Sequence, residues 1–340
     1  MLMQYQNAEL FFKLDREIGQ EGQNSTTWLA HDKQLDAEIV IKRIPQHYLV
    51  EEEFFKESGL LYKSSHPNVV SVMYACKDDQ YIYIAMPYYR NGSLQGKIES
   101  EFLSSRQIIK YAIEFVSGLH NVHSKKLCHF DIRPSNILLS ERNEAMLADF
   151  GISNHIRDDS GLAEAYSAYS LHVPPESFSG GSFTYTYDIY QVGLTLYRMC
   201  VGTVEFDRQA QVVEKANDPE RFLRNSNFPD RTKFPLHIHK KLKSIIIKCL
   251  QVEEDSRYQT CLELLNDLSL LDGTQLDWKY HKDESTETWY RGEERAMIKL
   301  VRNLETKSCH ATKGAKQQRI TEFCVDEGDD KHVKHFLERM

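Results

Sequence analysis

The chain has 340 residues, 41% hydrophobic and 27% charged, a balance expected of a folded globular protein rather than a disordered one. Forty-two Lys and Arg against fifty Asp and Glu give a net charge of -8, which disfavours a strongly basic nucleic-acid binder and leaves room only for a local basic patch. No apolar run reaches the roughly 18–20 residues that span a bilayer, and the N-terminus lacks a signal peptide's basic and apolar regions, so the expected compartment is the cytosol.

Residues 10–45 read as strands, with Gly19 and Gly22 breaking the first pair and EIVIKRI (38–44) as a β-branched run. EEEFFKESGLLYKSS (51–65) places Phe54, Phe55, Leu60 and Leu61 at helical spacing, and HPNVV (66–70) ends that helix at Pro67. YIYIAMPYY (81–89) is a further strand, closed by the turn Asn91-Gly92. Helical periodicity then dominates over 104–124, 187–201 and 237–250, so a β-rich part and an α-rich part meet near residues 87–94. LLDGTQLDW (270–278) closes the helical part, and KDESTET (282–288) reads as a polar linker. WYRG, RAMIKLVRN and QQRITEFCV are candidate strands of a small meander, followed by a helix with Val333, Phe336 and Leu337 on one face. The seven cysteines are scattered without CxxC pairs, which argues for reduced thiols and against a zinc site, and the fourteen histidines form no metal-ligand cluster.

The chemistry concentrates in HFDIRPSNILL (129–139) and LADFG (147–151). Phosphoryl transfer needs a carboxylate that positions the acceptor hydroxyl and oxygen ligands for a divalent metal. Asp131 suits the first role, accepting the hydroxyl's proton. Asn136 and Asp149 offer the oxygens that Mg2+ prefers, and Arg133 adds fixed positive charge where the transferred group gains negative charge.

At these motifs the chain resembles the eukaryotic-type (Hanks-type) protein kinase superfamily, of serine/threonine character, over about residues 10–272. The resemblance implies an α+β bilobal fold, with a β-rich N-lobe (10–88), a helical C-lobe (92–272) and a small α+β appendage at 279–340. It implies ATP and Mg2+ as cofactors. Lys42 of IVIK would meet the α- and β-phosphates, paired with Glu57, and Asn136 and Asp149 would hold the metal. Gly19, Gly22, Asn24 and Ser25 would form the phosphate loop, although IGQEGQNS departs from GxGxxG; Asn24 tolerates positive φ, and backbone amides there can cradle phosphate. Met86 would be the gatekeeper, Pro87 and Tyr89 the hinge, and Leu138 the floor beneath adenine. VPPE (173–176) would close the activation segment, Asp188 would brace the catalytic loop, and Arg257 would pair with Glu176.

Two departures bear on regulation and specificity. Phe130 stands where the family usually has an arginine that grips an activation-segment phosphate, so activity is expected not to hinge on that ion pair. Arg133 replaces the lysine usual in serine/threonine kinases, yet Pro134-Ser135 follow in the serine/threonine manner, while Tyr169 stands where Thr or Ser is common. The expected activity is therefore ATP- and Mg-dependent phosphorylation of Ser/Thr in proteins, including the chain itself. A tyrosine or dual-specificity kinase, a pseudokinase scaffold and a small-molecule kinase are the alternatives. Expected partners are protein substrates and a docking partner at 279–340, whose mixed charges weaken the case for nucleic acid; no membrane partner is expected, and oligomeric state is not legible.

Overall fold

Alternation of β-branched with polar residues between Phe12 and Pro45 produces three strands: β1 (Phe12–Gly19), β2 (Thr26–Asp32) and β3 (Ala37–Pro45). The computed structural model describes residues 9–19, 25–46, 65–149, 170–178, 183–216, 218–225 and 227–340. The chain divides into two compact units, Met1–Asn91 and Gly92–Met340.

In the first unit, β4 (Tyr74–Lys77) and β5 (Tyr81–Pro87) complete an antiparallel sheet of order β1-β2-β3-β5-β4. The two-residue period of β3 sends Ile39 and Ile41 to one face, where they bury against Ala30 and Ala85. Val40, Lys42 and Ile44 take the opposite face, on which Ile82 and Ile84 gather Ile44, Val72, Ala75 and Met86. The helix expected over 51–65 lies outside the described residues.

The second unit is helical at its start. Helix α1 spans Leu94–Ser100, and α2 spans Ser105–Ser124. A capping box opens α2: the Ser104 hydroxyl accepts the Gln107 N–H, and the Gln107 side chain accepts the Ser104 N–H. A two-stranded hairpin, β6 (Ile137–Leu139) with β7 (Ala145–Leu147), follows. Helix α3 (Tyr185–Val201) is buried along nearly its whole length. Helices α4 (Thr203–Glu214), α5 (Pro219–Arg224), α6 (Lys240–Cys249) and α7 (Cys261–Ser269) complete this part. Gly193 lets α3 approach α6 closely, since a Cβ there would stand 2.7 Å from Cys249 Cβ.

Strands β8 (Lys279–Lys282), β9 (Thr286–Arg291), β10 (Ile298–Asn303), β11 (Cys309–Lys313) and β12 (Gln318–Arg319) form a second antiparallel sheet in chain order. Helix α8 (Asp330–Arg339) buries Val333, Phe336 and Leu337 against Trp278, Trp289 and Leu300. The stretch read as a linker is the β8–β9 turn. Asp283 accepts the N–H and hydroxyl of both Ser285 and Thr286, so the polar run serves a tight turn rather than a spacer. The candidate strand QQRITEFCV pairs over only two residues before a turn at Thr321–Phe323. This sheet rests on the helical part: the Tyr280 ring stacks on His237 at 5.2 Å and meets Phe102 edge-on at 4.8 Å. All seven cysteines are free thiols, and no helix among the described residues is long and apolar enough to cross a membrane.

Candidate active site

The loop between α2 and β6 is held by a set of non-local hydrogen bonds from α3. Asp188, fully buried on α3, accepts the backbone N–H of His129 at 2.8 Å and of Phe130 at 2.7 Å, and meets His123 Nε2 at 2.8 Å. The neighbouring Gln191 accepts the Ile132 N–H at 3.1 Å and donates to the carbonyls of Phe130 (2.8 Å) and His172 (3.0 Å). Thr195, one helical turn on, donates to the Ile132 carbonyl at 3.1 Å. One face of α3 thus fixes the backbone on both sides of Asp131.

His129 is buried, and burial pushes its pKa down, so the ring is neutral. Its Nδ1 faces the Asp131 N–H at 3.3 Å, which assigns the ring proton to Nε2, donated to the Ala148 carbonyl at 3.0 Å. The histidine therefore links the segment bearing Asp131 to the one bearing Asp149.

Asp131 sits among opposing influences. Burial is the largest and raises its pKa; Arg133 and His129 lower it, and the carboxylate of Asp149 raises it. Arg133 Nε lies 3.1 Å from Asp131 Oδ1, and Asn136 Nδ2 donates to Oδ2 at 2.6 Å and to the Asp131 carbonyl at 3.0 Å. The Asn136 amide nitrogen is thus committed to Asp131, and Oδ1 is the amide's acceptor atom. The Ala148 N–H donates to the Asn136 carbonyl at 2.8 Å, bringing Asp149 next to Asn136 in the chain path. Asp149 (φ 58) and Phe130 (φ 65) both adopt the left-handed backbone conformation. That is tolerable for Asp and strained for Phe, and such strain persists only where surrounding bonds over-determine it. For Phe130 those bonds come from Asp188 and Gln191. Its ring is also held edge-on against Tyr187 (5.1 Å) and Phe183 (6.4 Å), while Phe183 and Tyr187 touch at 5.0 Å.

Arg257, buried, forms a bidentate pair with Glu176 at 2.7 Å on both arms. Leu138 lies in β6 opposite Met146 and bridges to Ser93.

In the first unit, Lys42 pairs across the sheet with Thr27 on β2 and Ile84 on β5. Met86 and Pro87 end β5 opposite Val40 and Ile39, and Tyr89 follows, partly buried, with burial raising its pKa. Gly19 ends β1 at a register shift opposite Thr27, and Ser25 immediately precedes β2. Gly22, Asn24 and Glu57 lie outside the described residues. The structure brings Asp131, Arg133, Asn136 and Asp149 together in the second unit and sets Lys42, Met86 and Pro87 on one sheet in the first. Gln191, Thr195 and His123 were not singled out from the sequence. Gln191 and Thr195 lie one and two turns beyond Asp188 on the same helix face, and that spacing is the signal that could have found them.

The fold and this loop define a phosphotransferase architecture. Residues 12–268 match the family model described as protein kinase domain, and the chain belongs to that family. It is 30% identical over 262 residues to a probable serine/threonine-protein kinase of Clostridium perfringens, covering 73% of this chain and 36% of that protein. It is 24% identical over 317 residues to the serine/threonine-protein kinase PrkC of Bacillus subtilis, covering 91% of this chain and 47% of that one. A probable serine/threonine-protein kinase of Clostridium acetobutylicum is 26% identical over 270 residues, covering 76% and 39%. The chain thus spans between a third and a half of the length of these relatives.

Proposed function

We propose that this chain is an ATP- and Mg2+-dependent protein kinase that phosphorylates Ser/Thr hydroxyls of proteins, itself included. The observation that carries the reading is Asp131. It is a carboxylate shielded from water and held by Arg133, Asn136 and the α3-anchored backbone, which supports a role as a hydroxyl-orienting base. Asp131 would accept the acceptor's proton. Arg133, beside it, would stabilise charge on the transferred group. The oxygens of Asn136 and Asp149 are hard donors that fit Mg2+, which when bound neutralises charge on the nucleotide's phosphates. Lys42, with Glu57 as its expected partner, would hold the α- and β-phosphates. Gly19, Gly22, Asn24 and Ser25 would cover the phosphates, and Met86, Pro87, Tyr89 and Leu138 would bound the adenine. The serine/threonine relatives and the Pro134-Ser135 pattern support Ser/Thr acceptors in proteins.

The test is transfer of label from γ-labelled ATP with Mg2+ to a protein acceptor, with D131N beside the wild type, followed by phosphoamino-acid analysis. Phosphoserine and phosphothreonine, lost in D131N, are expected. Nucleotide binding without turnover in the wild type would make the chain a pseudokinase, and phosphotyrosine alone would reassign the acceptor.

A further inference from the structure

We propose that the outward face of the C-terminal sheet is a docking surface for an acidic segment of another protein. Over residues 279–340 acidic and basic side chains nearly cancel, but strand register separates them by face. The row Tyr280, Trp289, Leu300, Ala311 points to the core beneath α8. The adjacent row, by the two-residue period, lies on the opposite face and reads Lys279, Tyr290, Lys299, Thr312, Arg319 across the five strands. The next outward row reads His281, Thr288, Val301, His310. Neither row contains a carboxylate. The acids of the strands are turned elsewhere: Glu287 lies in a core-side row, where it and Asp330 of α8 bind Arg302. Lys279, His281, His310 and Arg319 are exposed. Lys279 lies over the Tyr290 ring at 5.9 Å, and neither Lys299 nor Arg319 has a carboxylate partner among the described residues.

An uncompensated row of three cations on a chain of net charge -8 selects an anionic partner. Lys279, Lys299 and Arg319 stand on alternate strands, so successive cations are about 10 Å apart at roughly 4.8 Å per strand. A polyproline-II-like peptide repeats every three residues, about 9.3 Å, so acidic side chains at every third position would match the row. A single-stranded nucleic acid fits less well. Such platforms stack successive bases on several rings, and this face offers Tyr290 as its one aromatic six-membered ring, with only three cations.

The test uses the full chain and a fluorescein-labelled peptide with glutamate at every third position, followed by anisotropy. The wild type is expected to bind it, and the K279E/K299E/R319E variant to bind at least roughly tenfold more weakly, with binding also falling as salt rises. These side chains lie apart from Asp131 and its neighbours, so phosphorylation of a generic peptide should be unchanged in that variant. If it fails to fold, K279Q/K299Q/R319Q should still weaken binding several-fold. Absence of peptide binding by the wild type, or equal binding by the folded variants, overturns the proposal. So does tighter binding of oligo(dT) than of the peptide, lost in the same variant, which would make this a nucleic-acid face. None of the binding outcomes depends on kinase activity.

Discussion

Gln191 brackets Asp131: its side chain accepts the N–H of the following residue, Ile132, at 3.1 Å and donates to the carbonyl of the preceding residue, Phe130, at 2.8 Å. A third bond reaches the His172 carbonyl, just ahead of the turn containing Glu176. One buried amide therefore couples the loop carrying the proposed base to the end of the activation segment. Gln191→Leu keeps the volume roughly constant but strands an N–H and two carbonyls, each costing about 1–3 kcal/mol when buried. The expected result is a stability loss of at least about 3 kcal/mol in urea unfolding and a kcat reduced roughly 10–100-fold, with KM for ATP little changed. An unchanged kcat in a folded variant would reduce Gln191 to a packing residue.

Phe130 gives a second prediction. Where a phosphate-gripping arginine is usual, this chain has an aromatic ring packed on Phe183 and Tyr187. These apolar contacts add to the Asp188 and Gln191 hydrogen bonds between the catalytic loop and α3, and they need no phosphate. Alanine at every hydroxyl residue from Ser153 to Ser170 (Ser153, Ser160, Tyr166, Ser167, Tyr169 and Ser170) together is expected to leave most of the turnover intact, measured on an exogenous peptide. Phe130→Ala is expected to lower it sharply, and a Phe130/Tyr187 double-mutant cycle should give a coupling of about 0.5–1.5 kcal/mol. Complete loss of turnover in the folded multiple-alanine variant contradicts this.

The landmarks legible in the sequence are those whose chemistry is local. Asp131, Arg133 and Asn136 lie within six residues, and the spacing alone suggests that they meet. The brace of Asp188 and the pairing of Arg257 with Glu176 followed from resemblance, and the structure shows both bonds. Gln191 and the aromatic trio were not legible, because their partners lie about sixty residues away in sequence and a glutamine in a buried helix carries no signature of its own. The short helices α1, α4, α5 and α7 escaped for a different reason: tertiary packing, rather than a long apolar stripe, holds them. The β8–β9 turn was misread because Asp, Ser and Thr are equally at home in linkers and in side-chain-capped turns.

The pH profile should report Asp131. Burial raises its pKa and Arg133 opposes that. A carboxyl raised above its unfolded value holds its proton more tightly when folded, so its basic form is lost as pH falls through the raised value. Its ionisation also costs native stability as pH rises through the same value. kcat/KM should therefore fall on an acid limb above the ordinary aspartate range. Arg133→Ala removes the lowering charge and should move that limb to higher pH, whereas Arg133→Lys should largely preserve it. Identical acid limbs for the wild type and Arg133→Ala would detach the limb from Asp131.

The pair Arg257–Glu176 yields the sharpest test of side-chain shape. All five guanidinium N–H donors of Arg257 find acceptors: the two oxygens of Glu176, the Thr186 and Val252 carbonyls, and the Gln251 carbonyl at Nε. The guanidinium also lies over the Tyr190 ring at 4.8 Å. Lysine has the charge but only three donors in a different geometry, so two acceptors would lose their partners around a guanidinium position that is itself shut off from water. Arg257→Lys is therefore expected to cost nearly as much as Arg257→Met, about 3–5 kcal/mol for a broken buried pair, read from urea unfolding. Because Glu176 lies in the turn Pro175–Phe178, shortly after His172, both variants should also lose peptide phosphorylation before they lose nucleotide binding. An Arg257→Lys protein within about 1 kcal/mol of wild type would show that charge, and not the planar fork, holds this junction.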